Sequence, residues 1–320
     1  MGFFSKPFDP VTDLPDLSGK VVLITGGKGI GYWTVKHLAR RGAKVYMAAR
    51  NQSKAEEAIE QLKAEGLGPW NGDVIWLELD LKDPRNAKKA AEVFMKQEKR
   101  LDVLIHNAAT LIENYAMTPD GIEETVMVNV ISHVALTRTL QPLLDQTAAE
   151  PNSDVRIVVV ASCGYRFVSG KPRFRNLDDL NNELKSLFSP SFARYCLSKL
   201  MNILYASELQ RHLTAVGSPI TVIAIHPGSV DTIRHQQPLS HIQLILKSIV
   251  SLFILQPDQG AYTSVFAAAS EDVAKQREKY KGMYLTPVGK ITQLTKVARD
   301  EGLAKELWDT VDKFLEERGI

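Results

Sequence analysis

A chain of 320 residues with 44% apolar and 24% charged side chains has the balance of an ordinary soluble protein and is long enough to bury a sizeable core. Its net charge of +2, with no basic block and no interleaving of aromatic and basic residues, argues against a nucleic-acid partner. The two cysteines, Cys163 and Cys196, make neither a disulfide framework nor a metal spacing, which excludes a stapled secreted scaffold and fits reduced thiols in the cytosol.

In chain order, the N-terminus lacks an apolar signal region, because Lys6, Asp9 and Asp13 follow closely on Phe3 and Phe4. Met1-Gly2 opens like a myristoylation site, but Lys6 stands where Ser or Thr is required. No stretch reaches the roughly 18 consecutive apolar residues of a membrane span, so a cytoplasmic protein is expected. Residues 1–18 read as an extension ahead of a single domain over 19–320.

From residue 20 the pattern alternates strand and helix. Strands are predicted over 20–25, 43–49, 74–79, 101–106, 155–161, 221–226 and 282–285. Helices are predicted over 32–41, 53–65, from Asp83 to about 99, 121–144, 192–215, 258–269 and 300–317. The run 155–161 is almost wholly apolar, as expected of a strand buried on both faces. Strands separated by helices of this length imply a parallel, doubly wound sheet, the Rossmann-type α/β arrangement. Two segments break the alternation. Residues 165–191 are polar and irregular, with Pro172 and Pro190. Residues 238–255 are strongly apolar, with Gln243, Lys247 and Ser251 recurring every four residues as on an amphipathic helix. That helix serves either as core packing, as a greasy lid (235–257) over a pocket for an apolar substrate, or as a weak membrane-surface contact.

The first strand runs into Thr25-Gly26-Gly27-Lys28-Gly29-Ile30-Gly31 and then a helix. Glycines here let the backbone approach a pyrophosphate, and the helix N-terminus attracts its charge, so the segment predicts dinucleotide binding. The second strand ends in Ala48-Ala49-Arg50-Asn51. An acid at this position would hold the adenosine ribose hydroxyls, whereas Arg50 offers a guanidinium to a 2′-phosphate and Lys28 adds charge nearby. NADP(H) is therefore the expected cofactor. Tyr195 stands four residues before Lys199, which puts both on one helix face, and Ser162 closes the fifth strand. A phenol gives or takes a proton, an adjacent ammonium is expected to lower its pKa, and a serine hydroxyl holds a substrate oxygen. Tyr32 and Lys36 share the spacing, but no serine strand precedes them. The seven histidines are scattered, no metal site is expected, and no Gly-x-Ser-x-Gly elbow occurs.

These motifs, taken in order with His106-Asn107-Ala108-Ala109, Asp80-Leu81, Asn129 and Pro227-Gly228-Ser229-Val230-Asp231-Thr232, resemble the short-chain dehydrogenase/reductase family from about Leu17 to the C-terminal region. Asn176-Leu177-Asp178-Asp179-Leu180 and Gln259-Gly260-Ala261 are similar to its retinol-dehydrogenase-like branch, and the segment from Asp13 to Lys20 to fungal members. The resemblance implies that Tyr195 is the general acid/base and that Lys199 holds the nicotinamide ribose. It further implies that Ser162 orients the substrate oxygen, Asn129 anchors a relay water, Asn107 supports the cofactor, Asp80 meets the adenine and Thr232 the carboxamide. It also implies a homo-oligomer. The glycine loop departs from the pattern: only Gly27 and Lys28 separate Gly26 from Gly29, one residue fewer than short-form members have. Such a loop either rearranges and works or crowds the pyrophosphate. The expected function is an NADP(H)-dependent interconversion of an alcohol and a ketone or aldehyde on a lipophilic small molecule: a terpenoid, retinoid-like, steroid-like or polyketide compound, in fungal secondary metabolism. The alternative is a catalytically impaired dinucleotide-binding or regulatory protein on the same fold.

Overall fold

The computed structural model describes residues 7–111, 114–185, 187, 189–228 and 256–320. Thr232 and residues 235–255 of the predicted lid lie outside these residues. The strands are β1 (Val21–Thr25), β2 (Lys44–Ala49), β3 (Val74–Glu78), β4 (Val103–His106), β5 (Arg156–Val160), β6 (Thr221–Ile225), β7 (Tyr284–Thr286) and β8 (Lys290–Ile291). They form one sheet in the order β3-β2-β1-β4-β5-β6-β7-β8. All neighbours pair parallel except β7 and β8, which are antiparallel. The sheet is the expected doubly wound parallel arrangement, with one antiparallel strand added at its edge. A two-residue strand carries no periodicity, so nothing local marked β8 in advance.

The helices are α1 (Pro10–Asp13), α2 (Ile30–Arg40), α3 (Gln52–Glu65), α4 (Pro84–Gln97), α5 (Glu124–Val126), α6 (Ser132–Ala148), α7 (Leu177–Leu180), α8 (Pro190–Ala215), α9 (Pro257–Ala269), α10 (Glu271–Lys275), α11 (Arg277–Tyr280) and α12 (Glu301–Glu316). A π-helical turn, Met127–Ile131, joins α5 to α6. The segment expected to be irregular contains a 3₁₀ turn, Cys163–Phe167, and α7. Among the described residues no helix is long and apolar enough to cross a membrane.

Side chains alternate across each strand, and the sheet feeds two cores. Leu23 of β1 and Ile157 and Val159 of β5 join Phe94, Leu136, Leu200 and Leu307 on the face covered by α4, α6, α8 and α12. Val22, Ile24, Val158 and Val160 point the other way, onto Val35, Leu38, Ile59 and Val265 of α2, α3 and α9. Each large side chain so buried contributes about 1.5–3 kcal/mol of transfer free energy. Residues ahead of β1 also dock: Leu14 and Leu17 are buried in the second core, and Leu17 N donates to Arg41 O at 2.7 Å.

Helix starts follow local chemistry. Asn51 caps α3 through Lys54 N at 2.9 Å, Asp83 caps α4 through Arg85 N at 2.8 Å with Pro84 in its first turn, and Asp300 caps α12 through Leu303 N at 3.0 Å. By contrast α2 begins at Gly29 with no side-chain cap and no acid in its first turn. The strand order reverses between β1 and β4, so the crevice of the sheet opens beyond Thr25 and His106.

Candidate active site

The glycine loop sits at that reversal. Gly29 has φ +53°, a conformation that side-chain-bearing residues rarely adopt, and a Cβ there would meet open space. Gly31 serves close packing: a Cβ on it would lie 2.2 Å from Gly26 O and 2.7 Å from Asn107 Nδ2. The short loop is thus accommodated by starting α2 at Ile30 and pressing Gly31 against the end of β1. Gly31→Ala is expected to cost about 1–3 kcal/mol of stability through overpacking, measured by urea denaturation. Unchanged stability would contradict the close approach. No side chain caps the helix start, so the position that a pyrophosphate would take at a helix N-terminus is not filled by a side chain of the helix itself.

Thr25 is fully buried, and its Oγ1 accepts from Asn107 N at 3.0 Å and Ala108 N at 2.9 Å. Its side chain therefore joins β1 to β4, and only its backbone faces the crevice. Asn107 returns the contact, donating Nδ2 to Thr25 O at 2.9 Å. Asp80 accepts from Lys82 N at 3.1 Å and so caps the turn after β3. Lys28 and Arg50 are exposed and form no ion pair among the described residues. An uncapped helix start and a cradle of glycines fit a nicotinamide dinucleotide.

The second half of the crevice lies at the ends of β5 and α8. Ser162 follows β5, and its hydroxyl accepts from Gly164 N at 3.1 Å while hydrogen-bonding the Tyr195 phenol. Lys199 is buried one turn beyond Tyr195, with Nζ donating to Val160 O at 2.8 Å and lying 5.7 Å from the Tyr195 ring centre. Burial lowers the Lys199 pKa to about 8, so the ammonium persists at neutral pH. The expected depression of the Tyr195 pKa by Lys199 is corrected here. Burial raises the phenol, the Ser162 hydrogen bond opposes that rise, and the ammonium is turned to the strand carbonyl. The neighbouring cysteines are free, and burial pushes the Cys196 thiol up to about 12.

Asn129 occupies the π-turn. Its Oδ1 accepts from Thr110 N at 2.8 Å, and its Nδ2 donates to Thr110 O at 3.1 Å and Ser198 Oγ at 3.0 Å. Ser198 Oγ in turn donates to Tyr195 O at 2.8 Å. The carboxamide is fully engaged by protein groups, so a relay water at Asn129 would share the main-chain carbonyl with the His133 ring. Sequence reasoning passed over Thr110, Ser198 and His133, which hold this residue. Ser198 was findable, being next to Lys199 and three residues after Tyr195.

Tyr32 and Lys36 have a different fate. Tyr32 Oη donates to Glu65 Oε1 at 3.4 Å, and Lys36 Nζ pairs with Glu65 Oε2 at 2.5 Å. They pin α2 to α3, and burial with Glu65 nearby raises the Tyr32 pKa to about 12.

Comparisons agree with this geometry. The family model for short chain dehydrogenase matches residues 20–168. A short-chain dehydrogenase/reductase of Armillaria gallica is 41% identical over 99% of this chain and 99% of its own. Retinol dehydrogenase 14 of Mus musculus is 38% identical over 92% of this chain and 85% of its own. Among solved structures, an uncharacterized protein from Mycobacterium paratuberculosis superposes with TM-score 0.71 at 30% identity, covering 97% of this chain and 98% of that one. A Burkholderia cenocepacia short chain dehydrogenase solved with NADP shares the fold at TM-score 0.61 and 24% identity, over 86% and 98% of the two chains. With near full-length relatives at this identity, the chain belongs to the short-chain dehydrogenase/reductase family of oxidoreductases.

Proposed function

We propose that the protein is an NADP(H)-dependent oxidoreductase that interconverts an alcohol and a ketone or aldehyde on a lipophilic small molecule. The observation that carries this reading is the Ser162 hydroxyl on the Tyr195 phenol, one helical turn from the buried Lys199. A bound nicotinamide would supply the hydride in reduction and take it up in oxidation. In reduction Tyr195 gives its phenolic proton to the substrate oxygen, and Ser162 donates a hydrogen bond to the same oxygen. In oxidation the phenolate recovers the proton. Burial holds the phenol protonated, as reduction requires, the Ser162 hydrogen bond partly opposes it, and Lys199, charged below about pH 8, is held by the Val160 carbonyl one turn away.

Cofactor choice rests on Arg50 and Lys28, exposed at the crevice edge. Arg50→Ala is expected to weaken NADPH binding about ten- to a hundred-fold, the worth of one lost charge-assisted contact, with NADH binding unchanged. Fluorescence titration of both cofactors decides it. An equal effect on both would reassign Arg50.

The lipophilic substrate is supported by the apolar segment 238–255 of the sequence, outside the described residues, and by kinship to a protein named retinol dehydrogenase 14. We extend the reading to fungal secondary metabolism on the identity to the Armillaria gallica protein. A panel of lipophilic alcohols and ketones with NADP⁺ or NADPH tests the whole reading. Turnover confined to small polar substrates, or no NADPH binding at all, would defeat it.

A further inference from the structure

We propose that His133 is a positioning residue: its imidazole locks the end of β1 to the π-turn of Asn129, and through Asn129 and Ser198 to the helix that carries Tyr195. The catalytic consequence rests on the function proposed above; the lock itself does not.

The lock follows from hydrogen-bond bookkeeping. Thr25 Oγ1 accepts two main-chain N–H groups, from Asn107 and Ala108, so both of its lone pairs are filled. Its own proton remains to be given. His133 Nε2 lies 2.8 Å away, whereas Ile105 O is at 3.5 Å. Nε2 is therefore the acceptor, and a neutral ring must carry its proton on Nδ1. Nδ1 lies 3.3 Å from Asn129 O and donates to it.

That carbonyl lies in the π-turn. Ser132 N donates to Met127 O, five residues back, and Ile131 caps α6, so its carbonyl opens the ordinary ladder. Between them the carbonyls of Val128, Asn129 and Val130 face only two helical amides, those of His133 and Val134. Within this short-handed stretch the His133 ring gives Asn129 O a side-chain donor. A side chain 108 residues from Thr25 thus ties the end of β1 to the helix, beside the contact that His106 of β4 makes with Thr137.

From Asn129 the contacts run on without a gap. Its amide donates to Ser198 Oγ, which donates to the carbonyl of Tyr195. The glycine loop follows Thr25 directly, so the chain of contacts spans from the dinucleotide crevice to the proton-transfer helix. The groups facing the ring are His106, stacked at 4.7 Å between centroids, and the Lys199 ammonium. Burial first, and the Lys199 ammonium with it, disfavour a charged imidazole against the pull of the Asn129 carbonyl, in keeping with a residue that holds position and does not move protons.

Two measurements test the proposal. The first needs no cofactor. In ¹⁵N-histidine-labelled protein, with His133 assigned by its loss in His133→Asn, the ring should be the Nδ1–H tautomer and stay neutral from about pH 8 to about pH 5. An Nε2–H tautomer, or titration in that range, overturns the lock. The second uses the best substrate of the panel with NADPH. His133→Phe keeps a ring against His106 but removes both contacts. Its kcat should fall about ten-fold, with NADPH affinity, read by fluorescence titration, within about three-fold of wild type. His133→Asn, whose amide stands where Nδ1 stood, should recover most of the loss. A Phe variant within about two-fold of wild-type kcat, or equal losses in both variants that simply track a lower Tm, overturns the positioning role. Where the Phe variant fails to fold, His133→Gln, which reaches Thr25 but not Asn129 O, is read against the same limits. A wild-type protein that binds no NADPH defeats the proposed function, and the tautomer then decides the lock alone.

Discussion

Tyr195→Phe is expected to lower kcat/KM by about 10²–10⁴-fold, the contribution of a positioned acid/base, while leaving NADPH binding within about three-fold of wild type. The substitution removes one oxygen and keeps the ring. Lys199 retains its bond to Val160 O, and Ser162 retains the Gly164 amide, so the frame of the site survives. What disappears is the phenol proton and the group that hydrogen-bonds the Ser162 hydroxyl. The phenol is half-buried and carries a raised pKa in this structure, so its loss should cost little stability. Kinetics on the panel substrate with a parallel melting curve separate chemistry from folding. A variant that keeps more than about a tenth of wild-type activity would mean that another group moves the proton, and the reading of the site would fall with it.

Much of this site can be read from local sequence because each part has a local cause. Thr25 through Gly31 join a strand to a helix, and tight packing needs Gly31 at the contact. Asn51, Asp83 and Asp300 mark helix starts because a short side-chain oxygen reaches the amide two or three residues on. Tyr195 and Lys199 share a face because the helical repeat makes them neighbours. The parts that escaped are held by partners remote in the chain. His133 meets Thr25 across 108 positions, and Asn129 meets Ser198 across 69. No window of sequence contains both ends of such a bond. The π-turn is similar: residues 121–144 read as one continuous helix, because apolar spacing does not register a single inserted position. The pKa of Tyr195 also escaped, since spacing reports that an ammonium is near but not which way it points, nor how much water burial removes.

Acidification from pH 7.5 to pH 5 is expected to cost the folded protein about 2 kcal/mol from His133, with His106 adding to the loss. Both rings are buried and stacked 4.7 Å apart, and each is fixed as neutral by its contacts. His133 takes the Thr25 proton, as argued above. His106 Nε2 lies 2.9 Å from Thr137 Oγ1, whose own proton goes to His133 O at 3.1 Å. Thr137 therefore accepts from His106, and His106 Nδ1 is left bare in the core. Burial lowers the His133 pKa to about 3 and that of His106 well below its usual value, with His133 adding to the latter effect. In the unfolded chain both would take a proton near pH 6.5. Their folded pKa values are depressed, so the stability they confer is fully present above about 6.5 and is lost as pH falls towards the folded values. For His133 the slope is about 1.4 kcal/mol per pH unit, or about 2 kcal/mol at pH 5, and His106 acts in the same direction. Against a typical total of about 5–15 kcal/mol, that loss brings acid unfolding well above the range where carboxylates titrate. Asp102 and Glu208, whose pKa values are lowered, contribute only below about 4 and leave the pH 5 measurement untouched. His37 and His226, also lowered, act in the same direction as the stacked pair. Urea denaturation at the two pH values reads the loss, and His106→Phe isolates one ring. That variant will be less stable at pH 7.5, because Thr137 loses its donor. Its further loss on going to pH 5 should nevertheless be smaller than that of the wild type. If both proteins lose the same amount, the stacked histidines are not what acid attacks, and the tautomers assigned to them are wrong.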